Sequence, residues 1–146
     1  MELDGFFPYR LALLADAVSR SMAQIYAERF DLSRDEWRVL AALAGTSPAR
    51  TAMVIERTTL DKVSVSRALA RMESKGLVTR DTDPQDSRGR LIRLLPAGRA
   101  LFRKIVPMVR SREAFLLEGL EPAERAALDA AIDKLLQRSR QLARQG

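Results

Sequence analysis

Between Lys62 and Leu95 the chain reads KVSVSRALARMESKGLVTRDTDPQDSRGRLIRLL. Its chemistry is that of guanidinium and hydroxyl groups set against an apolar backing. Val65, Leu69 and Met72 recur at spacings of three and four, which predicts a helix from about Asp61 to Lys75. Val63, Ser64, Arg67 and Arg71 fall on another face of it. Gly76 suits the left-handed position that follows a helix. Leu77–Arg80 and Leu91–Leu95 then read as strands, and the residues from Asp83 to Arg90 form a long charged turn. A helix docked by its apolar face, followed by a hairpin tipped with arginine, suits a DNA duplex. The helix enters the major groove, and the hairpin reaches the backbone or minor groove.

Residue types divide the work. Arg67 is the candidate for a base edge, because paired donors from arginine to guanine are the commonest specific contact. Lys62, Ser64 and Ser66 suit phosphate, and Arg71 lies on or near the same face. Asp86 and Arg88 stand two apart in the turn, and Arg90 could reach phosphate. Read blandly, these residues are a solvated helix face and a surface ion pair worth about 0–1 kcal/mol.

Composition narrows the chemistry further. The 146 residues include no Cys and no His, which excludes disulfides, thiolate nucleophiles and Ser-His catalysis. The two commonest transition-metal ligands are missing as well, and no carboxylate spacing singles out an acid–base pair. An enzyme is therefore not expected, nor a metal or cofactor. The net charge is +6, from 25 Lys and Arg against 19 Asp and Glu. Residues 88–112 hold Arg88, Arg90, Arg93, Arg99, Arg103, Lys104, Arg110 and Arg112 and no acid, which favours a polyanionic partner. No apolar run approaches the roughly 20 residues that span a bilayer, and the start lacks a signal-peptide pattern, so the expected compartment is the cytoplasm with no membrane partner.

Further elements must position these groups. Leu11, Leu14, Val18, Met22 and Ile25 mark a helix over about 8–29. Ser33 and Glu36 form a capping box for a second helix, with Trp37, Leu40 and Leu43 on its apolar face and Gly45 as its stop. Ser47-Pro48 reads as the cap and first-turn proline of a third helix through about Arg57, and Thr58-Thr59-Leu60 as the turn into the fourth. From Pro96 to about Gly119 the chain reads helical, with a kink expected at Pro107. Glu121 opens a last helix carrying Leu128, Ile132, Leu135 and Leu142. The order is α-α-α-α-β-β-α-α. The fold class is mainly α with a small β-hairpin wing: a winged helix-turn-helix over about 31–96 within a single domain, 1–146.

With these elements placed, the chain resembles the MarR family of regulators over about residues 8–145. The likeness is densest over Ile55–Leu101. Asp86-Ser87-Arg88 matches the family's D-x-R wing. Leu94, Ala97 and Gly98 match its L-T-x-x-G signature, but Leu95 stands where a capping Thr is usual. That departure should cost about 1 kcal/mol, partly offset by Pro96 at the first helical position.

The resemblance implies a homodimer whose terminal helices, about 8–29 and 97–145, interlock. It implies a recognition helix at 61–75, an Asp86 that orients Arg88, and an Arg88 that enters the minor groove, where narrow A·T-rich tracts attract arginine. It also implies a repressor, released from a pseudo-palindromic operator in double-stranded DNA by a small aromatic anion. The start FFPYRLALLADAVSR resembles members that govern aromatic-acid catabolism, some of which sense acyl-CoA thioesters. Phe6, Phe7, Tyr9, Arg10, Trp37 and Arg38 are then candidates for the pocket, since arginine beside aromatic rings suits a ring bearing a carboxylate. Against this, Trp37 on an apolar helix face also suits a core or a subunit interface. Two readings stay open: a ligand-responsive repressor, and a constitutive or architectural winged-helix DNA-binding protein with no small ligand.

Overall fold

The computed structural model describes residues 1–145, apart from the side chains of Ser87 and Arg88. After a short 3-10 turn, α1 runs Phe7–Phe30 and ends at Asp31 in the left-handed conformation. The capping box opens α2 (Arg34–Ala44) as expected. The Glu36 amide donates to Ser33 Oγ at 3.1 Å, and the Ser33 amide donates back to Glu36 Oε1 at 3.4 Å.

The third helix begins later than the sequence suggested. Ser47-Pro48 does not cap it. Ala49–Arg50 forms a short strand, β1, and α3 is Thr51–Thr58. The Ser47 hydroxyl instead accepts from the Leu94 amide at 2.8 Å. Ala49 and Arg50 pair antiparallel with Ile92 and Leu91, so pairing within a sheet overrides the local helix-start signal.

α4 spans Lys62–Ser74, and Gly76 adopts φ +73°, the left-handed turn the sequence called for. The Leu77 amide donates back to Met72 O at 2.9 Å and closes the helix end. β2 (Val78–Asp83) and β3 (Asp86–Leu94) then reach much further into the expected turn than the sequence implied. Only Pro84 and Gln85 remain as the tip. The sheet order is β1-β3-β2, with Val78 opposite Leu94 and Asp83 opposite Asp86.

α5 covers Pro96–Glu118, with Pro107 inside an unbroken helix, and α6 covers Pro122–Gln145. Two compact units divide the chain, Met1–Val109 and a helical one from Arg110. The core of the first unit joins Ile25 and Tyr26 of α1, Val39, Leu40 and Leu43 of α2, and Val54 of α3. Val65, Ala68, Leu69 and Met72 of α4, Val78 and Ile92 of the sheet, and Ile105 of α5 complete it. Gly98 fits where no side chain could. A Cβ there would lie 2.5 Å from both Leu77 O and Leu94 Cδ1. The rest of the apolar stripe is open: Leu11 and Leu14 on α1, and Leu128, Ile132, Leu135 and Leu142 on α6, are exposed. Among the described residues no helix is long and apolar enough to cross a membrane.

Candidate nucleic-acid interface and ligand cavity

α4 is fixed by its apolar side and by its first turn. Val65, Ala68, Leu69 and Met72 are buried, while Lys62, Ser66, Arg67 and Arg71 are exposed on the other side. Asp61 caps the helix: its Oδ1 accepts from the Ser64 amide at 2.7 Å, and its Oδ2 accepts from the Ser64 hydroxyl at 3.0 Å. The two Ser64 donors hold the Asp61 carboxyl below its ordinary range. The Ser64 hydroxyl, expected on phosphate, thus donates within the helix cap.

Arg71 is also engaged. Its Nε donates to Glu36 Oε1 at 3.2 Å, and Lys75 Nζ donates to Glu36 Oε2 at 2.8 Å. Glu36 is 3% exposed, so α2 sends a buried carboxylate to meet two cations near the end of α4. Burial acts to raise the Glu36 carboxyl. Lys75, with the Ser33 amide and Arg71, outweighs it and holds the group below the usual carboxylate range. The sequence reading gave Glu36 only its capping role. The i, i+4 placement of Arg71 and Lys75 was the available signal for the rest.

On the wing, Arg90 is exposed opposite Thr82, and Arg93 pairs with Asp81 at 3.6 Å. Arg80 reaches Glu73 of α4 at 3.2 Å and ties the hairpin's base to that helix. Asp86 is exposed next to the tip. The side chain of Arg88, the expected wing arginine, lies outside the described residues. Arg67 and Lys62 remain solvent-facing cations on α4, with no ion pair among the described residues. An exposed helix with its cations outward, beside a twisted hairpin, is the geometry of a winged helix-turn-helix DNA-binding protein.

α1 and α2 together line an open cavity of about 400 Å³. Leu11, Leu14, Ala15, Val18, Ser19, Met22 and Tyr26 line it from α1, and Trp37 and Arg38 from α2. Two of the six candidate pocket residues, Trp37 and Arg38, line it, and Phe6 and Phe7 do not. Tyr9 and Arg10 precede its lining residues on α1. Tyr26 was missed, although it continues the Met22 position by one helical turn. Its ring stacks on Trp37 with centroids 5.3 Å apart, and Trp37 stacks on Phe102 at 5.8 Å. Burial raises the Tyr26 phenol above its ordinary value, against the opposing pull of Arg34, Arg38 and the Ser19 hydroxyl. The cavity thus offers an apolar wall, an aromatic floor and a guanidinium at its edge. Trp37 and Arg38 also border a second open cleft, which continues to Ala41, Ala42 and Arg57–Thr59 at the turn before α4.

Comparison with known proteins agrees with this geometry. The sequence model described as "MarR family" matches residues 30–89. The transcriptional regulator HosA of Escherichia coli O111:H- is 28% identical over 106 residues, 73% of this chain and 78% of that protein. A MarR/EmrR family transcriptional regulator from Acinetobacter sp. ADP1 superposes with a TM-score of 0.85 at 26% identity, covering 97% of this chain and 99% of that one. BpsR of Bordetella bronchiseptica, whose DNA binding is regulated by 6-hydroxynicotinic acid, superposes with a TM-score of 0.82 at 25% identity, over 92% and 96%. The chain thus carries a MarR-family match over residues 30–89 and shares its fold with MarR-family transcriptional regulators.

Proposed function

We propose that this protein acts as a homodimeric repressor on a pseudo-palindromic operator and is released by a small aromatic acid or its thioester bound between α1 and α2. The observation that carries the ligand is the cavity of about 400 Å³, with Trp37 and Tyr26 as its aromatic floor and Arg38 at its edge. That volume falls within the range of small-molecule sites, and a few placed polar groups in an apolar lining are what such sites use. BpsR, which responds to a hydroxylated aromatic acid, supports the choice of ligand class. Dimerisation is supported by the open apolar positions on α1 and α6, which water would otherwise have to cover.

In this reading α4 enters the major groove through Arg67, with Lys62 and Ser66 on phosphate. Arg90 reaches the backbone, and Arg88, oriented by Asp86, enters the minor groove. The ligand acts through α2. Trp37 and Arg38 border both the cavity and the cleft that reaches Thr58 and Thr59, the turn leading into α4. A ligand lowers DNA affinity only by binding the DNA-incompetent arrangement more tightly, and a tenfold loss needs about 1.4 kcal/mol of that difference.

The experiment is a panel of hydroxybenzoates, hydroxynicotinates, cinnamates and their CoA esters, read by Trp37 fluorescence and by operator release. Trp37 is the only tryptophan, so its signal reports on this cavity. Active members should lose effect in an Arg38→Ala/Tyr26→Phe variant. Undiminished release from that variant would place the ligand elsewhere, and silence from the whole panel would leave the aromatic-acid reading without support.

A further inference from the structure

Asp83 is 4% exposed, yet its neighbours Thr82, Pro84, Gln85 and Asp86 at the tip of the hairpin are exposed. A buried carboxylate on an otherwise solvated turn costs free energy unless it is paired. Each of its oxygens has a separate task. Oδ1 accepts from the Gln85 amide at 2.9 Å and closes the two-residue tip. Oδ2 accepts no hydrogen bond among the described residues; it is offset by the Arg50 guanidinium, whose Nε lies 2.7 Å away. A guanidinium nitrogen of Arg50 also donates to Gln85 Oε1 at 3.4 Å.

Arg50 sits at the start of α3, the first helix of the helix-turn-helix. Its side chain makes no helix cap. Its backbone pairs with Leu91 of β3. The side chain crosses the central strand to reach the far one, since β3 lies between β1 and β2. Gly89 leaves that path open. A Cβ there would stand 3.6 Å from Asp83 Cβ and 3.8 Å from Oδ2, so a longer side chain would compete with the guanidinium for its place.

We propose that Arg50 and Asp83 are positioning residues for DNA binding: the pair clamps the tip of the wing to the start of α3 and so holds the wing arginines in fixed register with the recognition helix. The backbone pairing at Leu91 fixes the base of the hairpin, and the ion pair fixes its tip. Without the second attachment the two strands could twist about the first, and Arg88 and Arg90 would pay the ordering cost when DNA binds. The proposal rests on the wing touching DNA, and the test separates the two.

Operator affinity is measured for wild type, Asp83→Asn, Arg50→Gln, the double variant, and Arg88→Ala/Arg90→Ala as the wing control. Asparagine keeps an oxygen for the Gln85 amide and removes only the charge. Asp83→Asn makes the protein more positive beside a polyanion, so simple electrostatics predicts tighter binding. The clamp predicts the reverse: about three- to tenfold weaker binding for each single variant, and no further loss in the double. The slope of log affinity against log salt should flatten in Asp83→Asn as a wing contact is lost, although no cation has been removed. Melting curves confirm that each variant is folded at the assay temperature, and Arg50→Gln serves should Asp83→Asn fail to fold. Equal or tighter binding by Asp83→Asn, or losses that add in the double variant, would overturn the clamp and make Arg50 a direct phosphate contact or a bystander. If the wing control itself binds as wild type does, the premise that the wing touches DNA fails instead.

Discussion

Replacing Glu36 tests how the recognition helix is held. The carboxylate meets Lys75 at 2.8 Å, Arg71 at 3.2 Å and the Ser33 amide at 3.4 Å. A hydrogen bond to a charged group contributes about 1.5–3 kcal/mol, and the Lys75 contact is the short one. The Lys75 side chain is 31% exposed and regains water when freed, so the lower half of that range applies. Arg71 is more exposed and adds at most about 1 kcal/mol. The long capping contact adds about 0.5 kcal/mol. Glu36→Ala should therefore cost about 2–4 kcal/mol. Glu36→Gln, which keeps the volume and a capping acceptor, should cost about half of that.

Thermal denaturation reads this directly. At this chain length each kcal/mol moves Tm by about 2–4 °C, so Ala should lower it by roughly 5–15 °C. Protein concentration must be matched, because in the proposed homodimer Tm depends on it. The pH dependence gives a second handle. The folded-state pKa of Glu36 is depressed. Its contribution is complete above the unfolded carboxylate value and disappears as pH falls through the folded one. Wild type and Glu36→Gln should converge in acid. A Gln variant as stable as wild type at neutral pH, or a gap unchanged into acid, would refute the account.

Three further outcomes follow from the same structure. Arg67→Ala should weaken operator binding by about 1–3 kcal/mol and relax discrimination at one base pair per half-site, measured by titration against single-site variants of the operator. Gly98→Ala should lower Tm, because the added methyl meets backbone at Leu77 O; the overpacking cost of about 1–3 kcal/mol exceeds the helix propensity it gains. Light scattering at micromolar concentration should give about twice the 16.4 kDa of one chain, and a monomer's mass would remove the palindromic-operator expectation.

How much was legible beforehand depended on the range of the interaction. Signals set by a few neighbouring residues were read correctly: the Ser33/Glu36 box, the Gly76 turn, and the apolar face of α4. Ser47-Pro48 failed because a distant partner won. A proline after a serine is a fair start signal for a helix, but the amide of Leu94, 47 residues on, takes the serine hydroxyl, and β3 claims Ala49 and Arg50. The hairpin misled in the same way. Asp83-Pro84-Gln85-Asp86 is dense in turn formers, and local preference spread the turn over eight positions. Cross-strand pairing, together with an arginine drawn in from β1, shortens it to two.

The cavity between α1 and α2 shows why a candidate site is harder to read than a fold. Trp37 and Arg38 were visible because they are rare or charged residues on a helix with a clear periodicity. Tyr26 was passed over because its spacing suited a core position, and it does pack as one, nearly closed to solvent. Its second use arises only when α1 and α2 meet and set its ring against Trp37. Core and pocket residues draw on the same aromatic and aliphatic types, so periodicity cannot tell a wall that faces another side chain from one that faces empty space. What separates them is a gap in packing beside a charge, and neither the gap nor its neighbour is encoded within one helix. Arg50 and Asp83 follow the same logic with opposite polarity. Thirty-three residues apart, each reads alone as an ordinary surface charge, and only the β1-β3-β2 order brings them together across a glycine. The open cavity and the set of the hairpin therefore reside in contacts between elements, while the elements themselves are written locally.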